Sequence, residues 1–91
     1  MRRVVRTQTY RTDLDAVEFF IAKDSPQAAL DMWLNIDSQV DQLADPNFPR
    51  RPGRVAGTFE LVAHPNYIVI LEQDATTITV LNVVHARKKY P

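Results

Sequence analysis

Three runs decide the fold: Thr58-Phe59-Glu60-Leu61-Val62-Ala63-His64, Tyr67-Ile68-Val69-Ile70-Leu71-Glu72-Gln73 and Thr77-Ile78-Thr79-Val80-Leu81-Asn82-Val83-Val84-His85. Each is rich in apolar and β-branched residues. The joins, Pro65-Asn66 and Asp74-Ala75-Thr76, are short and turn-forming. Such runs between such joins read as strands connected by antiparallel hairpins. His85, Arg87, Lys88, Lys89 and Tyr90 gather where the last strand stops.

Upstream, the stretch from Asp45 to Gly57 holds three prolines and both glycines of the chain, which makes it a loop. Before it, Ala29, Trp33, Ile36, Val40 and Leu43 recur at intervals of 4, 3, 4 and 3, a single helical stripe. Ser25 can cap that helix and Pro26 fits its first position, where no N–H is needed. The helix is predicted to run from Pro26 to about Ala44. Leu14, Val17, Phe20 and Ile21 mark an earlier helix, with Thr12 as its predicted N-cap and Asp15 three residues on, ending near Asp24. The short connection predicts an antiparallel helical hairpin. Arg3 to Tyr10 mixes valine and threonine with basic residues and reads as a strand at or near a sheet edge. The expected architecture is α+β, in the order β-α-α-β-β-β, with the hairpin packed on one face of an antiparallel sheet.

At 91 residues the chain is expected to form one domain, spanning 1–91, with a small core. Cysteine is absent, which excludes disulfides and thiolate metal sites and suits a reducing cytoplasm. Two histidines, His64 and His85, are too few for a conventional structural zinc site, and no cofactor motif is present. No apolar span approaches membrane length, and Thr7-Gln8-Thr9-Tyr10 breaks any signal-peptide pattern after the basic start. A soluble cytoplasmic protein is expected. The zero formal net charge conceals a segregation: Asp13 to Asp45 carries eight acidic residues against one base, Lys23, and the other ten bases lie outside that stretch. A field of opposite sign across so small a domain can steer an anionic partner toward its basic part.

Two basic groups are candidates for chemistry: Arg50, Arg51 and Arg54 in the loop, and His85, Arg87, Lys88 and Lys89 after the last strand. Cleaving an RNA phosphodiester through its own 2′-OH needs a base, an acid for the leaving oxygen and cations for the phosphate. His85 can serve as the base or the acid, Arg54 or Arg87 can hold phosphate bidentately, and Tyr90 can stack on a base or donate a proton. The plainer readings are a carbonyl-bonding His85, a turn residue at His64, solvated or partner-binding Arg50 and Arg51, and core packing for Tyr67 and Trp33.

In order and spacing, several short words resemble the RelE/ParE toxins of bacterial type II toxin–antitoxin systems. They are the Asp13-Leu14 start of helix one, Asp24-Ser25-Pro26-Gln27-Ala28-Ala29, Pro52-Gly53-Arg54-Val55 leading to Gly57-Thr58, and the ending His85-Ala86-Arg87. The resemblance covers nearly the whole chain. It implies the same fold, a cognate antitoxin that wraps the toxin, and no small-molecule cofactor or membrane partner. Two targets stay open. ParE-like members inhibit DNA gyrase, and RelE-like members are ribosome-dependent endoribonucleases that cut messenger RNA. For a nuclease, the resemblance implies His85, Arg87 and Tyr90 as catalytic residues; for either target, Arg50, Arg51, Arg54, Lys88 and Lys89 are read from their charge as binding target or phosphate. This chain has Phe59 where the family pattern has a strand arginine, which favours gyrase or another non-nucleolytic target. An inactive toxin relic or a small binding module is the alternative outside the class.

Overall fold

Thr7 ends the first strand and starts the first helix. Its side chain accepts the Tyr10 N–H at 3.2 Å from an extended backbone, and its hydroxyl donates to the Val80 carbonyl at 2.7 Å. The elements are β1 (Arg3–Arg6), α1 (Gln8–Ala22), α2 (Pro26–Gln42), β2 (Arg51–Pro52), β3 (Phe59–His64), β4 (Tyr67–Gln73) and β5 (Thr77–His85). This computed structural model describes residues 1–88 and Tyr90. Placing the cap at Thr12 and carrying the strand to Tyr10 are both corrected. Helical geometry lets Tyr10 extend the stripe of Leu14, Val17 and Ile21, and Tyr10 and Leu14 are almost wholly buried. That burial outweighs the strand preference of Thr7 and Thr9.

Ser25 accepts the Ala28 N–H at 3.1 Å and Pro26 opens α2, as the sequence indicates. Ala29, Ile36, Val40 and Leu43 are buried. Trp33 is only half-buried, because it sits at the seam of the hairpin with its indole N–H on Asp15 of α1 at 3.1 Å.

The sheet runs in the order β1-β5-β4-β3-β2. The meander β3-β4-β5 is antiparallel, as expected, and the bounds of β4 and β5 are those read from the sequence. β1 lies at an edge but pairs with β5 in parallel, so the five-stranded sheet is mixed. β2 is a two-residue strand within the segment expected as loop, with Arg51 opposite Glu60 and Pro52 opposite Phe59. Both helices pack on one face, where Tyr10, Leu14, Ile36 and Val40 meet Leu61, Val69, Leu71 and Val80. Fully burying each such aliphatic side chain stabilises by roughly 1.5–3 kcal/mol.

A polar bolt joins the layers. Asp37 Oδ1 on α2 accepts both Arg6 Nε of β1 at 2.9 Å and the Tyr10 hydroxyl of α1 at 2.8 Å, while Arg6 Nη2 reaches Asp41 at 2.6 Å. Burial, and then the bond to Asp37, push the Tyr10 hydroxyl far above its ordinary pKa. Arg6 is thereby an internal cation serving the fold. Among the described residues no helix is long and apolar enough to cross a membrane.

Candidate functional site

Alternation along β3 sends Phe59, Leu61 and Ala63 toward the helices, and it turns Glu60 and Val62 to the opposite face. Glu60 is nevertheless buried, at 2% exposure. A carboxylate so far from water needs a full set of donors. Arg51 Nε and Nη2 each lie 3.0 Å from Oε1; the Arg54 backbone N–H reaches Oε2 at 3.3 Å, and the Tyr90 hydroxyl donates to the same oxygen.

Local backbone chemistry supplies that geometry. Gly53 donates its N–H to the Thr58 carbonyl at 2.8 Å, and a Cβ there would run into Thr58 Oγ1. Gly57 sits at φ 86°, a left-handed conformation that glycine adopts without strain. The tight return between them sets Arg51 and Arg54 beside β3. The Arg54 guanidinium lies 4.6 Å from the centre of the Tyr90 ring, and its Nη1 reaches the Lys88 carbonyl at 3.4 Å. Loop, strand and C-terminal segment thus converge on one carboxylate.

A second group lies where the meander ends. His64, Tyr67 and His85 form a row of rings across β3, β4 and β5, with centroids 6.1 and 5.4 Å apart. His85 Nδ1 accepts the Arg87 N–H at 3.2 Å, and His64 Nδ1 accepts the Asn66 N–H at 3.0 Å, the turn role expected for His64. Tyr67 is buried, as core packing required. Between this row and α1 runs an open groove of ≈ 340 Å³ lined by Asp13, Val17, Phe20, Tyr67, His85 and Lys88.

The expected site residues therefore separate. Arg51, Arg54 and Tyr90 meet at Glu60; His85 and Lys88 border the groove; Arg87 is exposed; Lys89 lies outside the described residues. Arg50 departs from its expected role in target or phosphate binding. Its Nε bonds Phe48 O at 3.0 Å, Nη1 bonds Leu43 O at 3.2 Å and Gln73 Oε1 at 3.1 Å, and Nη2 bonds Asp45 O at 2.6 Å. With its planar fork spent on the chain after α2, Arg50 is a loop clamp. Burial, reinforced by the nearby charge of Arg2, lowers its pKa from the ordinary value. Phe59, standing where the family pattern has arginine, packs against the core.

Sequence reasoning missed two acids. Glu60 was legible only as a lone charge inside an apolar strand. Asp13 accepts the Asn82 amide at 3.2 Å and the Val83 N–H at 3.1 Å, beside the register shift of β4 and β5, and nothing local marks it.

The fold is that of bacterial toxin–antitoxin toxins. The chain superposes with a TM-score of 0.81 on a chain of the chromosomal ParDE system of P. aeruginosa, at 22% identity over 93% of this chain and 96% of that one. The toxin–antitoxin complex RelBE2 of Mycobacterium tuberculosis gives 0.61 at 24% identity, covering 92% and 96%, and YafQ of E. coli gives 0.64 at 12%, covering 94% of each. By sequence, residues 4–90 match the family described as ParE toxin of type II toxin–antitoxin system, parDE. A candidate toxin of Sinorhizobium fredii, Y4kP, is 35% identical over 78 residues, covering 86% of this chain and 81% of that protein. This chain belongs to the ParE toxin family of type II toxin–antitoxin systems.

Proposed function

We propose that the protein is a cytoplasmic growth inhibitor that acts by binding DNA gyrase or another protein target without cutting RNA, and that a cognate antitoxin neutralises it. The observation that carries this reading is the engagement of Arg51 and Tyr90 with Glu60. A nuclease needs a proton donor and cations available to the scissile phosphate. Here the Tyr90 hydroxyl and the Arg51 fork are already bonded to a buried carboxylate, Arg50 is spent on carbonyls, and the strand position of the family arginine is a core phenylalanine. Family membership and the likeness to toxins of the ParDE and RelBE2 systems support the antitoxin partner.

RelE-like cleavage is the second reading, kept by the exposed His85 and Arg87 at the end of β5. Inducible expression with and without the neighbouring reading frame, followed by RNA-end mapping and a gyrase supercoiling assay, separates the two. Growth arrest without new RNA ends, relieved by the neighbour, is the expected result. Codon-phased RNA cuts that vanish in His85→Ala would overturn it.

A further inference from the structure

Glu60 is the one buried charged residue among the described residues, and it stands at the centre of a basic patch. Its two oxygens take donors of the kind nucleic-acid phosphates use: an arginine fork, a backbone N–H and a hydroxyl. The carboxylate is held in place from two sides. Glu60 pairs with Arg51 across β2 and with Ile70 across β4, which fixes its backbone inside the sheet, and the donors around its carboxylate hold the side chain there.

We infer that Glu60 is a specificity determinant: its buried carboxylate denies the patch of Arg51, Arg54 and Tyr90 to nucleic-acid phosphate. This deepens the non-nucleolytic reading above and rests on it. An incoming phosphate would have to displace an internal anion that is already fully bonded, and it would meet that anion's charge where water screens it poorly. Protein groups face no such exclusion. A carbonyl or an apolar side chain can pack on the Tyr90 ring and the Arg54 plane without adding charge, and Val62, 47% exposed on the same face, extends the apolar ground.

The test compares the intact toxin with Glu60→Gln, which keeps the size and loses the charge, in binding a fluorescent single-stranded RNA oligonucleotide across a salt series. Glu60→Gln should bind at least about fivefold more tightly, with a salt slope steeper by about one released counterion. Adding Arg51→Gln should return it to the parent value. Equal RNA affinity in parent and Glu60→Gln overturns the proposal. If Glu60→Gln does not fold, the parent decides: binding tighter than about 1 µM at physiological salt, beyond the usual non-specific range, overturns it, and weaker binding supports it. RNA-end mapping in cells tests the non-nucleolytic reading separately, since equal affinities without RNA cuts would sink this assignment alone.

Discussion

Phe59 and Glu60 are consecutive on β3 and serve opposite faces of the sheet, Phe59 against the helical core and Glu60 under the Tyr90 hydroxyl. Sequence resemblance treats position 59 as an active-site position from which an arginine is missing. In this fold it is a packing position. Its cross-strand neighbours are Pro52 and Leu71, and Leu71 is fully buried.

Phe59→Arg is therefore expected to destabilise rather than to restore cleavage. Losing the ring's packing and crowding a guanidinium against the core should cost about 2–4 kcal/mol. Thermal denaturation checks the loss, and RNA-end mapping should show no new cuts. A stable variant that cuts RNA would contradict the placement of Phe59.

Arg50 should behave as a structural residue. Arg50→Ala strips the bonds to Leu43, Asp45 and Phe48 carbonyls and to Gln73, with an expected cost of about 1–3 kcal/mol. Arg50→Lys should recover little, because a single ammonium cannot span that fork of acceptors. Melting curves of both variants decide the point, and a parent-like Arg50→Lys would refute the clamp.

The Tyr10–Asp37 bond carries a pH signature. The folded state holds the Tyr10 hydroxyl protonated well above the ordinary value of 10.0, whereas the unfolded chain ionises there. Above that pH the unfolded state binds fewer protons than the native one, so stability falls as pH rises. This contribution is fully present below about pH 10. Tyr10→Phe should lose about 1 kcal/mol at neutral pH through the missing hydrogen bond, and its stability should decline less steeply in alkali. Parallel pH–stability curves for parent and variant would show that Tyr10 is not the group responsible.

On α2, Ile36→Ala should cost about 2–5 kcal/mol, enough to unfold much of so small a protein. Leu34, 51% exposed, should change stability by less than about 0.5 kcal/mol when truncated. Trp33→Ala should fall between them, since its ring is half-buried and its indole N–H bonds Asp15. Urea titrations of the three variants test the ordering.

Much of this fold was legible because the relevant physics is local. Hairpin joins at Pro65-Asn66 and Asp74-Ala75-Thr76 delimit β4 and β5, and the Ser25-Pro26 pair marks the start of α2. The start of α1 was also available in the spacing of Tyr10, Leu14, Val17 and Ile21, but the β-branched Thr7 and Thr9 pointed to a strand. The parallel pairing of β1 with β5 was not available, since it depends on where a non-adjacent strand returns in space. The site was legible in its residue types and not in its grouping. Arg51, Arg54 and Tyr90 come from three separate segments, and only the fold shows that Glu60 gathers them.

The most direct measurement of the central claim is RNA-end mapping within minutes of inducing the toxin in cells, paired with supercoiling by purified gyrase in its presence. Growth arrest with no new 5′ ends, loss of gyrase supercoiling, and near-parent toxicity for His85→Ala are the expected results. Abundant codon-phased cuts abolished by His85→Ala, with gyrase unaffected, would contradict the claim.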